Sequence, residues 1–185
     1  MTDELTVLAL AAGRGDRAAL SEFVRASQAE LWRFLARAAG ADVAEDLAQE
    51  TYLRVLGALP GFEGRSSARS WLFTIARNVV VDMVRREVVR PRLIGMDAAE
   101  LQSLAAGGPD SGGRVEVEQA LAGLDQERRV ALVLTQLMGF SYAETAEICG
   151  CPVGTIRSRV ARARADLLAG LDREVASCSA SRLLS

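Results

Sequence analysis

Apolar residues recur every three or four positions along most of the chain, and no segment alternates as a half-buried strand does. Glycine and proline interrupt this helical pattern at intervals. The pattern predicts two or three helices over Leu5–Gly40, one after Asp42 and one over Trp71–Arg86. Helical spacing resumes at Val115 and ends near Leu171. We therefore expect an all-α fold.

The pattern lapses after Arg90, where "RPRLIGMDAAELQSLAAGGPDSGGR" contains two prolines and five glycines. Such a composition is typical of a linker. We predict two small helical domains, residues 1–90 and 115–172, joined by a flexible linker over residues 91–114. The small, polar residues 173–185 are expected to form a frayed C-terminal tail.

A helix-turn-helix is predicted within the second domain. Ser141 and Glu144 have the spacing of a capping box at a helix start. Gly150 suits the left-handed residue that ends a helix, and Pro152 suits the first turn of the next one. Two helices joined by a short glycine-bearing turn are the signature of this motif.

The second helix of that motif is strongly basic, with no acid from Cys151 to Ala165. Surface helices usually mix acids with bases, so a plain solvated face is the weaker interpretation. Arginine and hydroxyl side chains match guanine edges and phosphate oxygens in a major groove. Five residues beside or opposite its apolar stripe are therefore candidates for DNA contact: Thr155, Arg157, Ser158, Arg159 and Arg162.

The helix after Asp42 has the opposite charge. Asp42 is predicted as its N-cap, with Glu45 completing a capping box. Helical spacing places a polar stripe with one leucine on a single face. Periodicity alone leaves two interpretations open, a solvated face or a docking face for a basic partner helix. The stripe consists of Asp46, Gln49, Glu50 and Leu53.

The segment "PGFEGRSSARSWLFTIARNVVVDMVRR" combines a glycine-rich loop, aromatic residues and arginines. Aromatic rings beside arginines suit unstacked bases and single strands. Trp71 itself has apolar neighbours, which favours a place in the core.

Composition narrows the functional classes. All 22 basic residues are arginine, and the chain has no histidine, three cysteines and a net charge of -2. Without histidine the cysteines fall short of a structural zinc site, so no metal or other cofactor is expected. No phosphate-binding glycine loop and no nucleophile–base pair is present, which argues against an enzyme. The chain lacks a signal peptide and a membrane-spanning run, so we expect a cytoplasmic protein without membrane insertion.

Three motifs in order resemble a known family. "AEDLAQETYLRVL", "SSARSWLFTIARNVVVD" and "LMGFSYAETAEICGCPVGTIRSRVARARADLL" resemble regions 2 and 4 of extracytoplasmic-function (ECF) sigma-70-type transcription initiation factors. Details such as "LTQL" and "CGCPVGTIRSRVARAR" are most similar to the actinobacterial sigma C type. The resemblance implies an alternative sigma factor that binds core RNA polymerase, at the β′ clamp helices and the β flap, and directs it to promoter DNA.

The resemblance also assigns roles to the candidate residues. It implies that the stripe Asp46, Gln49, Glu50 and Leu53 binds the β′ clamp helices. For the −10 element, it implies that Phe62, its loop with Arg65 and Ser67, and Asn78 capture a flipped base, beside Arg77, Asp82 and Arg85. For the −35 element, it implies contact by Thr155, Arg157, Ser158, Arg159 and Arg162. Region 3 and the aromatic melting segment of primary sigma factors are missing, which implies a narrow promoter set. We expect the free chain to be masked by its own domains or by an anti-sigma protein.

The rival interpretation is a stand-alone helix-turn-helix regulator. Such a protein would bind duplex DNA tightly without polymerase, usually as a dimer on a palindrome. No heptad seam or sensor pocket in the sequence supports it.

Overall fold

The computed structural model describes residues 3–89 and 120–182, with side chains for residues 3–86 and 120–170. These parts of the chain are helical and contain no strand, which confirms the all-α prediction. None of their helices is both long enough and apolar enough to cross a bilayer. The elements are α1 (Glu4–Gly13), α2 (Arg17–Ala39), α3 (Ala44–Ala58), a 3₁₀ turn (Leu59–Gly61), α4 (Ala68–Val89), α5 (Gln126–Leu132), a π-helical turn (Val133–Leu137), α6 (Tyr142–Cys149) and α7 (Val153–Arg182).

Helices α1 to α4 pack around one core. The Asp3 carboxylate accepts a hydrogen bond from the Thr6 backbone N–H at 2.6 Å and caps α1. Gly13 ends α1 against the 3₁₀ turn, where a Cβ would lie 2.5 Å from the Leu59 carbonyl oxygen. Each large buried side chain stabilises the fold by about 1.5–3 kcal/mol. The largest buried in this domain are Phe23, Leu31, Phe34 and Leu35 of α2, Val55 of α3, and Leu72, Phe73, Val79 and Val80 of α4.

The predicted capping box at the start of α3 is wrong. Residues 41–43 form a turn, and α3 begins at Ala44 after Val43, whose side chain makes no capping bond. An N-cap side chain must reach the backbone N–H two or three residues further on. Asp42 lies one residue too early for that role because the turn delays the helix.

The helix-turn-helix of the second domain is confirmed. The Ser141 backbone N–H donates to the Glu144 carboxylate at 2.8 Å, and the Glu144 N–H donates to the Ser141 hydroxyl at 3.2 Å. Gly150 then ends α6 in the left-handed conformation at φ 62°. On α7, the predicted apolar stripe is buried at Ile156, Val160 and Ala163 and half-buried at Val153 and Leu167.

Helix α7 continues to Arg182, beyond the end predicted near Leu171. No glycine or proline follows Gly170, so nothing in the sequence stops the helix there. The helix end predicted near Leu171 is therefore wrong, whereas the frayed C-terminal tail over residues 173–185 stays a prediction. The predicted linker, residues 91–114, lies outside the described residues, and the domain boundaries stay predictions.

The two domains pack against each other through an aromatic contact. Phe140 precedes α6 and is only 3% exposed. Its ring lies 5.0 Å from that of Phe73 in α4, which in turn lies 5.1 Å from Phe34 in α2. Such pairs contribute about 0.5–1.5 kcal/mol beyond the area they bury. Helix α6 thereby rests on α4.

Arg69 of α4 fastens the same contact. Its guanidinium lies 3.8 Å from the centroid of the Phe140 ring and donates to the Met138 carbonyl at 2.5 Å. It also pairs with the Glu30 carboxylate of α2. A single arginine thus joins two helices of the first domain to the loop before α6.

A second polar contact lies at the C-terminal end of α2. The Gln126 amide donates to the Ala38 carbonyl at 2.9 Å, and the Arg129 guanidinium donates to the Arg37 carbonyl at 2.6 Å. The last carbonyls of a helix lack intrahelical partners and carry partial negative charge. Helix α5 of the second domain therefore supplies donors where α2 needs them.

Thr145 of α6 generates a stability prediction. It is fully buried, and its hydroxyl has no hydrogen-bond partner within the described part of the chain. An unsatisfied buried hydroxyl destabilises the folded state. We expect Thr145→Val, which keeps the shape, to raise the free energy of unfolding by about 1 kcal/mol in urea titrations.

Thr51→Val is the matched control. Thr51 is equally buried, but its hydroxyl donates to the Leu47 carbonyl at 2.7 Å. The same substitution should lower stability there, or leave it unchanged. A Thr145→Val protein that loses more stability than Thr51→Val would contradict the account.

Candidate functional site

The predicted acidic stripe forms an outer face of α3. Asp46, Gln49 and Leu53 are exposed and Glu50 is half-buried. The opposite face fixes this orientation, since Ala44, Leu47, Thr51 and Val55 are all buried. Leu53 is 65% exposed, the highest exposed fraction among the large apolar side chains of the described residues.

A groove of about 750 Å³ lies beside this stripe, between α2 and α3. Its apolar walls adjoin the stripe at Leu53 and include Leu56, which is 46% exposed. Sequence reasoning missed the groove because its two walls come from different helices. The sequence signal that could have revealed it is the presence of apolar residues, such as Leu53 and Leu56, outside the buried face of α3. The apolar lining consists of Leu20, Val24, Tyr52, Leu53, Val55 and Leu56.

Tyr52 gives the groove a polar edge. Its hydroxyl shares a 2.8 Å hydrogen bond with the Ser27 hydroxyl. Burial raises the pKa of Tyr52, so the phenol is neutral at physiological pH. The groove therefore offers a partner a mainly apolar surface with polar groups at Tyr52 and at Ser21, Arg25, Gln28 and Gln49.

A second cavity, of about 330 Å³, opens at the loop before α4. The rings of Phe62 and Trp71 lie 4.7 Å apart at its wall, and Arg65 lies at its rim. Arg65 is exposed and pairs with Glu63 at 2.5 Å. Trp71 is only half-buried. One part of its ring packs against the core, as predicted, and another part lines the cavity.

Ser67 lies between this cavity and α4. Its hydroxyl accepts a hydrogen bond from the Ser70 backbone N–H at 3.1 Å. The adjacent Ala68 N–H donates to the Thr6 hydroxyl of α1 at 2.8 Å. These bonds satisfy two of the free donors at the start of α4 and hold the loop on the helix.

The outer face of α4 carries the other predicted −10 residues. Asn78 and Arg85 are exposed, and the Arg77 guanidinium donates to the Asn78 side-chain oxygen at 3.2 Å. Asp82 accepts a hydrogen bond from Arg54 of α3 at 2.7 Å. That bond is the main reason why the pKa of Asp82 lies below its usual range.

The basic face of α7 is largely open. Arg157, Ser158 and Arg162 are exposed, whereas Thr155 and Arg159 are half-buried. Arg159 pairs with Glu127 of α5, and the Ser158 hydroxyl donates to the Thr155 carbonyl at 2.9 Å. Arg157 and Arg162 are thus the exposed arginines among these five residues, whereas Arg159 is held within its own domain by Glu127.

Cys149, at the turn between α6 and α7, has no reactive character. Cys149 is buried, and desolvation raises its pKa to about 11. A protonated thiol is neither a good nucleophile nor a metal ligand at neutral pH. No cluster of three or more potential metal ligands occurs among the described residues.

The structure gathers the predicted residues into three surfaces. The α3 stripe and its groove form one, and the loop cavity with the α4 face forms the second, both on the first domain. The α7 face forms the third, on the second domain. Helix α6 rests on α4 near Arg77, whose positive charge reaches Cys149 across the interface.

Comparison with known proteins identifies the family. Residues 23–89 match the description "Sigma-70 region 2", and residues 114–167 match "Sigma-70, region 4". The chain is 49% identical over 170 residues to the ECF RNA polymerase sigma factor SigC of Mycobacterium tuberculosis, across 90% of this chain and 91% of that protein. The chain belongs to the ECF group of sigma-70 factors. This ECF sigma factor is also 32% identical over 178 residues to the ECF sigma-E factor of Escherichia coli, across 89% and 93% of the two chains.

Two solved structures share the fold. CnrH, solved in complex with the cytosolic domain of CnrY, has a TM-score of 0.70 and 29% identity, covering 92% of this chain and 99% of that one. RpoE of Bartonella quintana, solved in complex with the anti-sigma factor NepR, has a TM-score of 0.69 and 32% identity, covering 83% and 96%. The resemblance stated from the sequence motifs is thereby confirmed.

Proposed function

We propose that this ECF sigma factor binds core RNA polymerase through α3 and directs it to a narrow set of promoters through α4 and α7. The observation that carries the proposal is the separation of charge between an acidic stripe beside an apolar groove and the first half of α7, which carries four arginines and no acid from Val153 to Ala165. Polymerase supplies the chemistry, and the sigma factor contributes binding energy alone. It acts in the cytoplasm, where polymerase and chromosome meet.

The stripe and the groove suit one helical partner. Asp46 and Glu50 would face basic residues of the β′ clamp helices, while Leu53 would insert between their side chains. The groove extends this contact toward Leu56 and α2, so that apolar burial adds to the charge pairing. Interfaces of this kind draw most of their affinity from a few buried anchors inside a polar rim.

The loop cavity suits an extruded base of the −10 element. Extruding a base costs a few kcal/mol, and stacking on an aromatic side chain contributes about 1–3 kcal/mol per base. Phe62 and Trp71 provide the aromatic wall, and Arg65 provides a cation for the adjacent phosphate. Arg77, Asn78 and Arg85 would then contact the DNA along α4.

The α7 face suits the major groove of the −35 element. Arg157 and Arg162 reach outward without rearrangement, and Thr155 and Ser158 lie on the same part of α7. Arg159 joins them when Glu127 releases it. A good bidentate arginine–guanine contact discriminates by about 1–3 kcal/mol.

We further propose that the packed arrangement of the domains masks the free chain. RpoE was solved with an anti-sigma factor, whereas here the second domain itself covers part of α4. Arg77 would be hindered by α6, and the loop cavity and the α7 face would be unable to reach separate promoter elements together. The two domains can separate only when the contacts of Phe140 with Phe73 and Arg69 are broken.

The rival regulator differs in one measurable respect. A stand-alone regulator would shift promoter DNA in a gel without polymerase, whereas the sigma factor would shift it only with core enzyme. The likeness to sigma factors over both domains favours the second result.

The acidic stripe gives the first functional prediction. Asp46→Arg combined with Glu50→Arg should abolish co-elution with core RNA polymerase in gel filtration, since attraction becomes repulsion. Glu4→Arg combined with Asp42→Arg is the control, because it changes net charge equally at exposed acids outside the stripe. Co-elution of the stripe variant at the wild-type level would reject the docking surface.

The basic helix gives the second. Arg157→Ala should reduce transcription from a −35-dependent promoter on the order of tenfold, through the loss of one base or phosphate contact. Core binding should persist, as measured by gel filtration. Arg17→Ala, at an exposed arginine of the first domain, should transcribe normally. Equal transcription from Arg157→Ala and wild type would contradict the assignment.

The domain contact gives the third. Arg69→Ala removes the hydrogen bond to Met138 and the cation over the Phe140 ring. We expect faster amide hydrogen exchange in α6, because the closed arrangement opens more often. Arg25→Ala, at an exposed intrahelical pair with Glu22, is the control. Unchanged exchange in the Arg69 variant would show that the contact does not hold the domains.

A further inference from the structure

One arginine is shared between the polymerase surface and the promoter surface. The Arg54 Nε donates to the Glu50 carboxylate at 2.9 Å, one helical turn earlier on α3. Its Nη1 donates to the Asp82 carboxylate of α4 at 2.7 Å. Glu50 belongs to the predicted stripe, and Asp82 belongs to the predicted −10 face. The guanidinium therefore bridges one carboxylate of each predicted surface, on neighbouring helices.

Glu50 and Asp82 compete for the single positive charge of Arg54. Two carboxylates share one guanidinium, so the three groups together carry one net negative charge. All three side chains are partly exposed, at 33% for Arg54, 39% for Glu50 and 37% for Asp82. They can therefore exchange partners with charges from outside. Arg85 and Arg86 also act on Asp82, and all of these groups raise the share of its ionised form.

We propose that Arg54 couples polymerase docking to promoter binding. When polymerase binds Glu50, Arg54 loses its bond to Glu50 and keeps only its bond to Asp82. This inference rests on the proposed function. A basic group of polymerase that pairs with Glu50 leaves Arg54 to Asp82 alone. The carboxylate is then neutralised, and α4 presents Arg77 and Arg85 to the DNA with less opposing negative charge. Arg54 is a positioning residue, which acts through its two partners.

The coupling must work in both directions, because linkage between two binding events is reciprocal. Without the charge on Asp82, Arg54 pairs with Glu50 only. Polymerase must then displace Arg54 completely before it can use Glu50. A substitution on the promoter face should therefore weaken polymerase binding, although Asp82 lies outside the stripe.

The test measures the affinity of the full chain for core RNA polymerase, by fluorescence anisotropy of a labelled sigma factor. Four chains form a double-mutant cycle: wild type, Asp82→Asn, Arg54→Met, and both together. We expect Asp82→Asn to weaken core binding about threefold, a size typical of partly exposed ion pairs. Arg54→Met should bind core at least as tightly as wild type, and Asp82→Asn should have no further effect in that background.

Two controls exclude a merely structural effect. Asp166→Asn breaks a comparable 2.7 Å pair, with Arg128, remote from α3, and should leave core affinity unchanged. Asp82→Glu retains the charge and should restore wild-type affinity. The effect of Asp82→Asn should also shrink at high salt, because exposed charges are screened. Thermal unfolding of each chain establishes that all are folded.

The outcomes separate the two proposals. A wild-type chain that does not bind core polymerase overturns the proposed function and this inference with it. A wild-type chain that binds, together with an Asp82→Asn effect that is absent or equal in both backgrounds, overturns the role of Arg54 alone.

Discussion

The contact of Phe140 with Phe73 and Arg69 holds the second helical domain against the first in the described residues. It joins an aromatic ring of the second domain to the core of the first, and the hydrogen bond from Arg69 to the Met138 carbonyl lies beside it. Exposing a buried phenylalanine costs about 1.5–3 kcal/mol. That is within reach of the free energy with which a large partner binds. In the masked arrangement that we propose, a partner that separates the domains must supply at least this free energy.

The separation of charge along the chain is the second feature on which the proposed function depends. The net charge of -2 describes neither binding surface, because residues 41–53 carry four acids and no base, whereas residues 153–165 carry four arginines and no acid. Local fields determine which surface attracts nucleic acid and which attracts a basic protein helix. Arg54 lies where the two fields meet, so a change on one surface alters the charge balance of the other.

Local signals made much of the fold predictable from sequence. Ser141, Glu144 and Gly150 act on backbone groups within four residues, and the 3.6-residue period alone oriented the buried faces of α3 and α7. Asp42 shows the limit of such rules, because a three-residue turn moved the helix start past it. Side-chain rules locate a cap only when the backbone allows it.

Features that depend on distant residues were not predictable. The groove needs α2 beside α3, and the double role of Trp71 needs Phe62 folded back upon it. The bond between Arg54 and Asp82 joins positions 28 apart, and that between Arg69 and Met138 joins positions 69 apart. No periodicity within one helix encodes these pairs, so the closed arrangement became visible only in three dimensions.

The most direct test of the account is the distance between the domains before and after polymerase binds. Arg33 of α2 and Ala165 of α7 are exposed and lie outside the proposed surfaces. Spin labels can be attached at these two positions through unnatural amino acids, and the distance between them measured. The account predicts one short distance in the free chain, which lengthens when core polymerase is added. A distance that is already long in the free chain, or unchanged in the polymerase complex, would contradict it.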